Sequence, residues 1–536
     1  MPWNGLADRH TLTKKRSTAL HLAALCTLAA LCVGWNHDDA QHWPGAARAV
    51  AQSPFAPASS KSKSGAQPKR KGDSQGRSKK PGAAHASGRG ERLWRATDVH
   101  PRHDDQRLAA LGILKYTSKR LVLYTDIAPE QAKPLPELMD RCFDEWVEYF
   151  GPLPPDREGQ EFQMTGYLMA DQRPFRETGL LPENLPPFPH GRNQGTLFWL
   201  NDQPTDYYRR HLLLHEGTHC YMMALAHPFR REIWYMEGMA ELFGTHRFDD
   251  EGRPQFRVLP HDREQFPGLG RIRLVEDEVR DRGARGLPDV MRLKSDDYLS
   301  NPPYAWAWTV CRFFDGHPRY SESFRQAGRA VVTGEDAPQW RALLKDSARD
   351  IQDEWLLFAS TLCHGYDQSR SAITFRAGER LRPGTPVAAT VEAARGWQSS
   401  GVLVEQGKTY RITAEGRFTI AHPDRSDRTA TPAGAPSVRD GKEKHEEPAW
   451  ESEPQGISVR YHAGRPLGML LATIRSVPER SDPAQTTMLG ILPIGRAAVI
   501  TPTITGDLYF RLNDPWNELH DNAGEARARI ELQEPP

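Results

Sequence analysis

Near residue 367 the sequence changes its hydrophobic period, so one layer architecture cannot serve both halves of the chain. Upstream, Leu135, Leu138, Met139, Cys142, Phe143, Trp146, Val147 and Phe150 recur at the i, i+3, i+4 spacing of a buried helix face. This predicts a helix over 134–150, closed by Gly151. Further helical patterns start near 205 and cover 304–314 and 340–359, whereas 120–126 (RLVLYTD), 162–170 and 196–201 (TLFWLN) read as strands. Strands followed by helices predict an α+β domain over 106–370. Downstream, short alternating runs such as TYRITAEG, GMLLATI, DLYFRLND and ARARIEL are separated by turn residues. They predict an all-β sandwich over 371–536, with the charged, Pro-rich stretch 422–453 as a long surface loop.

The N-terminal part is of another kind. Lys14, Lys15 and Arg16 precede an uncharged apolar run over 19–33, the pattern of a signal peptide or short signal anchor, which assigns residues 1–34 to targeting. Residues 35–105 are dominated by Ala, Ser, Gly, Pro, Lys and Arg and read as a disordered basic linker, or alternatively as an arm for an anionic envelope polymer. The expectation is an exported protein, periplasmic or extracellular, or anchored by that segment, which is also its one membrane contact. A net charge of +1 and 38% hydrophobic residues argue against a nucleic-acid partner and against a polytopic membrane protein. Of the six cysteines none forms a CxxC pair, so a thiolate metal site is not expected; Cys142, Cys220, Cys311 and Cys363 read equally well as disulfides or buried thiols.

The chemistry concentrates in residues 207–226, YYRRHLLLHEGTHCYMMALA. Positions i and i+4 of a helix share a face, so His215 and His219 can bind one tetrahedral ion together, with Glu216 beside them to take a proton from activated water. Downstream, WYMEGMAE places Glu237 far enough along for a second helix to return, past the break at 226–228. Its carboxylate then completes a His₂Glu set with one position left for water, and Glu241, a turn later, can orient a ligand imidazole.

HEGTH followed by EGMAE resembles the gluzincin metallopeptidases. The resemblance implies a zincin-like catalytic domain, a mixed sheet plus helices, with zinc on His215, His219 and Glu237, Glu216 as general base and Glu241 supporting a ligand histidine. A later helix beginning YAWAW is similar to the family's Tyr-containing element, which implies that Tyr304 stabilises an oxyanion; an aromatic packing role is the alternative. Aminopeptidases of that clan carry an acid before the zinc helix that binds the substrate amine. The matching stretch here, GRNQG at 191–195, has none. An endopeptidase acting on peptide or protein is therefore expected, with 195–200 as an edge strand holding extended substrate. Two alternatives remain open: a catalytically weak binding protein, and a zinc hydrolase of a non-peptide bond.

In the C-terminal half, Asp514, Asp521 and Asn522 crowd one loop between strand patterns, a set of oxygens suited to calcium or to an ordinary polar turn. The region from 387 to 532 resembles the PA-IL-like, galactose-binding bacterial lectins, through GKTY at 407–410, PQG at 454–456, PIG at 493–495 and the ND…DNAG loop. The resemblance implies calcium on Asp514, Asp521 and Asn522, a sugar contact from Gln455, and a carbohydrate or cell-envelope polymer as partner. The family's sugar-binding His falls near Ser452 here, which departs from the pattern.

Overall fold

A computed structural model describes residue 95 and residues 98–224, 232–333, 348–421, 450–477 and 485–534. The apolar segment 19–33, most of the basic linker, part of the helix expected over 340–359 and all but the end of the loop expected over 422–453 lie outside the described residues. No helix among the described residues is long and apolar enough to cross a membrane.

The chain is packed before residue 106. Arg95 ion-pairs with Asp98, both buried, and its backbone NH donates to Pro155 O at 3.2 Å. The Asp104 side chain accepts from Arg107 N and caps α1 (Asp105–Ala110). The linker expected to reach residue 105 thus ends earlier, because a buried ion pair and a helix cap order a stretch poor in apolar residues.

A mixed sheet follows, made of β1 (Leu114–Thr117), β2 (Leu121–Thr125), β3 (Met164–Met169), β4 (Gly191–Gln194) and β5 (Leu197–Asn201) in the order β1-β2-β3-β5-β4. β2, β3 and β5 run parallel, while β1 and β4 lie antiparallel at the two edges. The edge strand expected over 195–200 is therefore internal, paired on both sides, and the edge is β4. Gly195 is the reason: its φ of +62° starts a two-residue turn that lays Gln194 beside Leu197.

Between β2 and β3, α2 (Leu135–Phe150) buries Leu138, Met139, Cys142 and Trp146 and ends at Gly151, where φ is +92°. α3 (Asp206–Met223) starts where Thr205 accepts from Tyr208 N and is buried on every side from His211 to Met222. Such a helix lies at the centre of a domain. It packs against α2, β4, β5 and the equally buried α4 (Ile233–Gly244). The hairpin β6 (His246–Phe248) and β7 (Pro254–Phe256) leads to α5 (Arg271–Arg282), α6 (Asn301–Gly316) and α7 (Ala348–Thr361). α4 crosses α6 at Gly238, where a Cβ would stand 2.5 Å from Ala307 O and Cys311 Sγ, so the glycine of EGMAE is needed for close helix contact.

The C-terminal half is β-rich, and the molecule as a whole is α+β, the class that the change of period predicts. One sheet has the order β17-β16-β19-β10-β8, comprising Leu492–Pro493, Leu470–Ser476, Gly506–Leu512, Gln398–Val404 and Glu379–Arg380. The other has the order β13-β12-β20-β11-β18, comprising Trp450–Ser452, Phe418–Ala421, Ala523–Leu532, Tyr410–Glu415 and Ala497–Ile500, with β9 (Val387–Glu392) also on β20, while β14 (Ile457–His462) and β15 (Arg465–Leu467) form a separate hairpin. β20 buries Ala526, Ala528 and Ile530 and exposes Arg527 and Arg529, as a half-buried strand must. β16 is buried on both faces: Leu470, Ala472 and Ile474 enter the sandwich core, whereas Leu471 joins the core of the helical half. Arg475, on that second face, ion-pairs with Asp350 at 2.6 Å and Asp353 at 2.7 Å, both on α7. Cys142, Cys220, Cys311 and Cys363 are free thiols.

Candidate metal centre

Three side chains from α3 and α4 converge in the interior of the helical half. His215 Nε2 and His219 Nε2 are 3.1 Å apart, and Glu237 Oε2 lies 3.5 Å from the first and 3.3 Å from the second. The residues between the two helices are in part outside the description, yet the helices deliver His and Glu to one point. A tetrahedral ion bound at about 2.0–2.1 Å from each ligand needs ligand atoms about 3.3 Å apart. Two imidazole nitrogens and a carboxylate oxygen at these separations fit a four-coordinate divalent ion.

Each residue of the set is buried. Burial disfavours a protonated His215, but Glu237 and Glu241 outweigh it and carry its pKa up to about 10. Burial likewise disfavours an ionised Glu237, and here His219 and His215 win, bringing it down to about 2. The two shifts share a cause: the Glu237 carboxylate and the His215 imidazole each favour the charged form of the other. Glu216 differs. Burial raises its pKa against the pull of His215 and His219, which leaves a carboxylate suited to taking up a proton.

Glu216 also lies against the sheet edge. At Gly191 a Cβ would be 2.4 Å from Glu216 Oε1, so any larger residue there would have to displace the acid. The Tyr304 ring, on the first turn of α6, is centred 6.3 Å from the His215 ring and packs edge-on to Tyr298 at 5.1 Å. Burial, with Glu237 and Glu216 adding to it, holds the Tyr304 hydroxyl protonated and able to donate.

Glu241 Oε1 is 3.4 Å from His215 Nδ1, the ring nitrogen not turned to Glu237. Two partners of Glu241 were not evident from the motifs. His211 Nε2 is 3.1 Å from Oε2, and Arg271 grips both oxygens at 2.8 Å. His211 carries a signal in the sequence, since it precedes His215 by one helical turn. Arg271 carries none, because it arrives from α5.

In the β-sandwich, Asn522 Nδ2 donates to Asp514 Oδ2 at 2.7 Å and to Ala393 O at 3.0 Å. Asp514 Oδ1 and Asn522 Oδ1 are buried without a hydrogen-bond partner, and Asp514 has no exposed surface. Burial pushes the Asp514 carboxyl up to about 7, despite the Asn522 hydrogen bond. Asp521 lies at the end of the same loop, in a short 3-10 turn. The loop is docked on the helical half: Trp516 stacks on Tyr366 at 5.6 Å, the Arg511 guanidinium lies 3.7 Å over its ring, and Trp516 O accepts from Asp367 N. Gln455 is elsewhere, in a surface depression of about 630 Å³ bordered by Arg417, Glu451, Glu453 and Arg496, where its Oε1 accepts from Arg496 N. None of the three loop residues lines that depression.

No family model matches the chain, and neither does any curated protein. Among solved structures, the N-terminal domain of EclA, a PllA-like lectin, is similar at 18% identity, covering 27% of this chain and 96% of that one with a TM-score of 0.17. A likeness at that level carries no inference about function.

Proposed function

We propose that this chain is a zinc-dependent peptidase that cleaves internal peptide bonds. The observation carrying this reading is the convergence of His215 Nε2, His219 Nε2 and Glu237 Oε2 within 3.1–3.5 Å of one another, with the buried Glu216 beside them at the sheet edge. An ion held by that set supplies Lewis acidity, polarising a carbonyl and acidifying water. Glu216 accepts the proton of the attacking water and returns it to the leaving amine. β4, at the sheet edge, offers backbone groups to an extended substrate strand. Tyr304 donates to the developing oxyanion. Glu241, with Oε1 3.4 Å from His215 Nδ1, orients that ring so that Nε2 faces the ion.

The sandwich loop is read as a closed calcium site on Asp514, Asp521 and Asn522. Its support is the two orphaned buried oxygens, for which a hard cation is the natural partner. Buried under the helical half, such an ion is structural. A carbohydrate or envelope-polymer contact through Gln455 would use a separate surface. The basic residues 14–16 before the uncharged run 19–33 support export, with that run as signal or anchor.

Zinc analysis and a peptide-library digest of the protein and of Glu216→Gln test the reading together. The wild type carries zinc and cleaves; the variant carries zinc and does not. Zinc with no cleavage by the wild type would instead favour a binding protein or a hydrolase of another bond.

A further inference from the structure

α3 and α4 form a ladder in which the metal site has a near-duplicate. His211, His215 and His219 stand four residues apart on α3, and Glu237 and Glu241 stand four apart on α4. Two sets of ligand atoms therefore fall within 4.8 Å of one another: His215, His219 and Glu237, and again His211, His215 and Glu241. Both are fully buried, and both use His215, through Nε2 in the first and Nδ1 in the second. By donor chemistry alone the second set is as good a divalent-ion site as the first.

We infer that Arg271 decides between them: its guanidinium occupies Glu241, excludes the ion from the second set, and fixes His215 as a ligand through Nε2. The inference rests on the metal site proposed above. Arg271 is the first residue of α5, entered from Gly270 in the left-handed region at φ +58°, and it is buried. Its Nε and Nη2 each stand 2.8 Å from a different oxygen of Glu241, the parallel two-bond geometry that guanidinium makes with carboxylate. A dication bound by Glu241 would face that fixed positive charge at close range in a dry interior, where like charges repel strongly. Glu237 is different: among the described residues its ion-pair partners are His215 and His219. With Glu241 held in place, its Oε1 stands 3.4 Å from His215 Nδ1, on the side of the ring away from Glu237, and Nε2 is left turned toward Glu237 and His219 for the ion. Arg271 is thus a positioning residue, acting on the ion through Glu241.

Metal binding, not turnover, is the readout. Cobalt(II) absorption and chelator competition with zinc are measured on the full chain as wild type, His219→Ala, Arg271→Met and the Arg271→Met/His219→Ala double variant, with circular dichroism confirming folding. The wild type should bind one ion and His219→Ala should lose it. The double variant should regain a bound ion through the second set, and should lose it again when His211→Ala is added. Arg271→Met alone should weaken zinc binding by about 10–100-fold, the usual cost of removing support behind a ligand. A double variant as empty as His219→Ala, with Arg271→Met binding zinc as tightly as wild type, overturns the inference and leaves the metal site standing. A wild type that binds no ion overturns both. Should the methionine variants fail to fold, Arg271→Lys carries the test: it keeps the charge and loses the fork. Arg271→Lys/His219→Ala then stays empty and Arg271→Lys alone binds zinc about 10-fold or more weakly, whereas undiminished affinity contradicts the role assigned to Arg271.

Discussion

The backbone of Gly191 passes the Glu216 carboxylate so closely that a methyl group at this position would lie 2.4 Å from Oε1 and 2.7 Å from Leu200 Cδ2. The sheet edge and the proposed general base are thus built as one unit: the strand that would carry substrate sets where the acid can stand. Gly191→Ala should push the carboxylate aside while leaving His215, His219 and Glu237 in place. Steady-state kinetics should show kcat falling at least about tenfold with zinc content unchanged, and denaturant unfolding a loss of about 1–3 kcal/mol from overpacking. Full activity in this variant would separate β4 from the chemistry.

Acid should weaken the fold through His246. Its Nδ1–H donates to Gly244 O at 2.8 Å, its Nε2 accepts from Arg210 Nε at 3.2 Å, and its ring stacks on Tyr207 at 4.8 Å. Burial, with Arg210 adding to it against the Gly244 bond, lowers its pKa to about 3. The native ring is neutral, so below the unfolded value of about 6.5 the unfolded chain takes up the proton and stability falls, until the folded ring also titrates near 3. Between pH 7 and 5 this contributes a loss of about 2 kcal/mol. Chemical unfolding at the two pH values should show a smaller difference for His246→Gln than for wild type.

Calcium should stabilise the sandwich, and Asp514 should be the reason. Millimolar calcium is expected to raise the thermal midpoint above salt controls, by mass action on the folded state. Asp514→Asn should abolish the shift while leaving the zinc content unchanged. The same shift in the variant would show that the ion binds elsewhere.

How much of this was legible in the sequence follows from the range of each interaction. The pairing of His215 with His219 is one helical turn and is written locally in HEGTH. Glu237 requires a chain reversal, which the break after the helix and the second apolar run announce. Gly195 misled because TLFWLN looks like an isolated strand, whereas a left-handed glycine makes it the inner arm of a hairpin. β10 is hard to read from the sequence for a similar reason: a bulge between Ser399 and Leu403, with Gly401 at φ +74°, breaks the alternation that marks a strand. Arg271 had no local signature, since its meaning depends on the docking of α5 against Glu241. The docking of Trp516 on Tyr366 was equally hidden, as it joins the last strands to the end of the helical half.

The central claim is that His215, His219 and Glu237 hold one catalytic divalent ion. X-ray absorption at the zinc edge, on wild type and Glu237→Gln, tests it most directly. One zinc per chain in the wild type, bound by two imidazoles and oxygen at about 2.0–2.1 Å, and a marked loss of zinc in the variant are the predicted result. A wild type without zinc, or a Glu237→Gln variant with an unchanged spectrum, would contradict it.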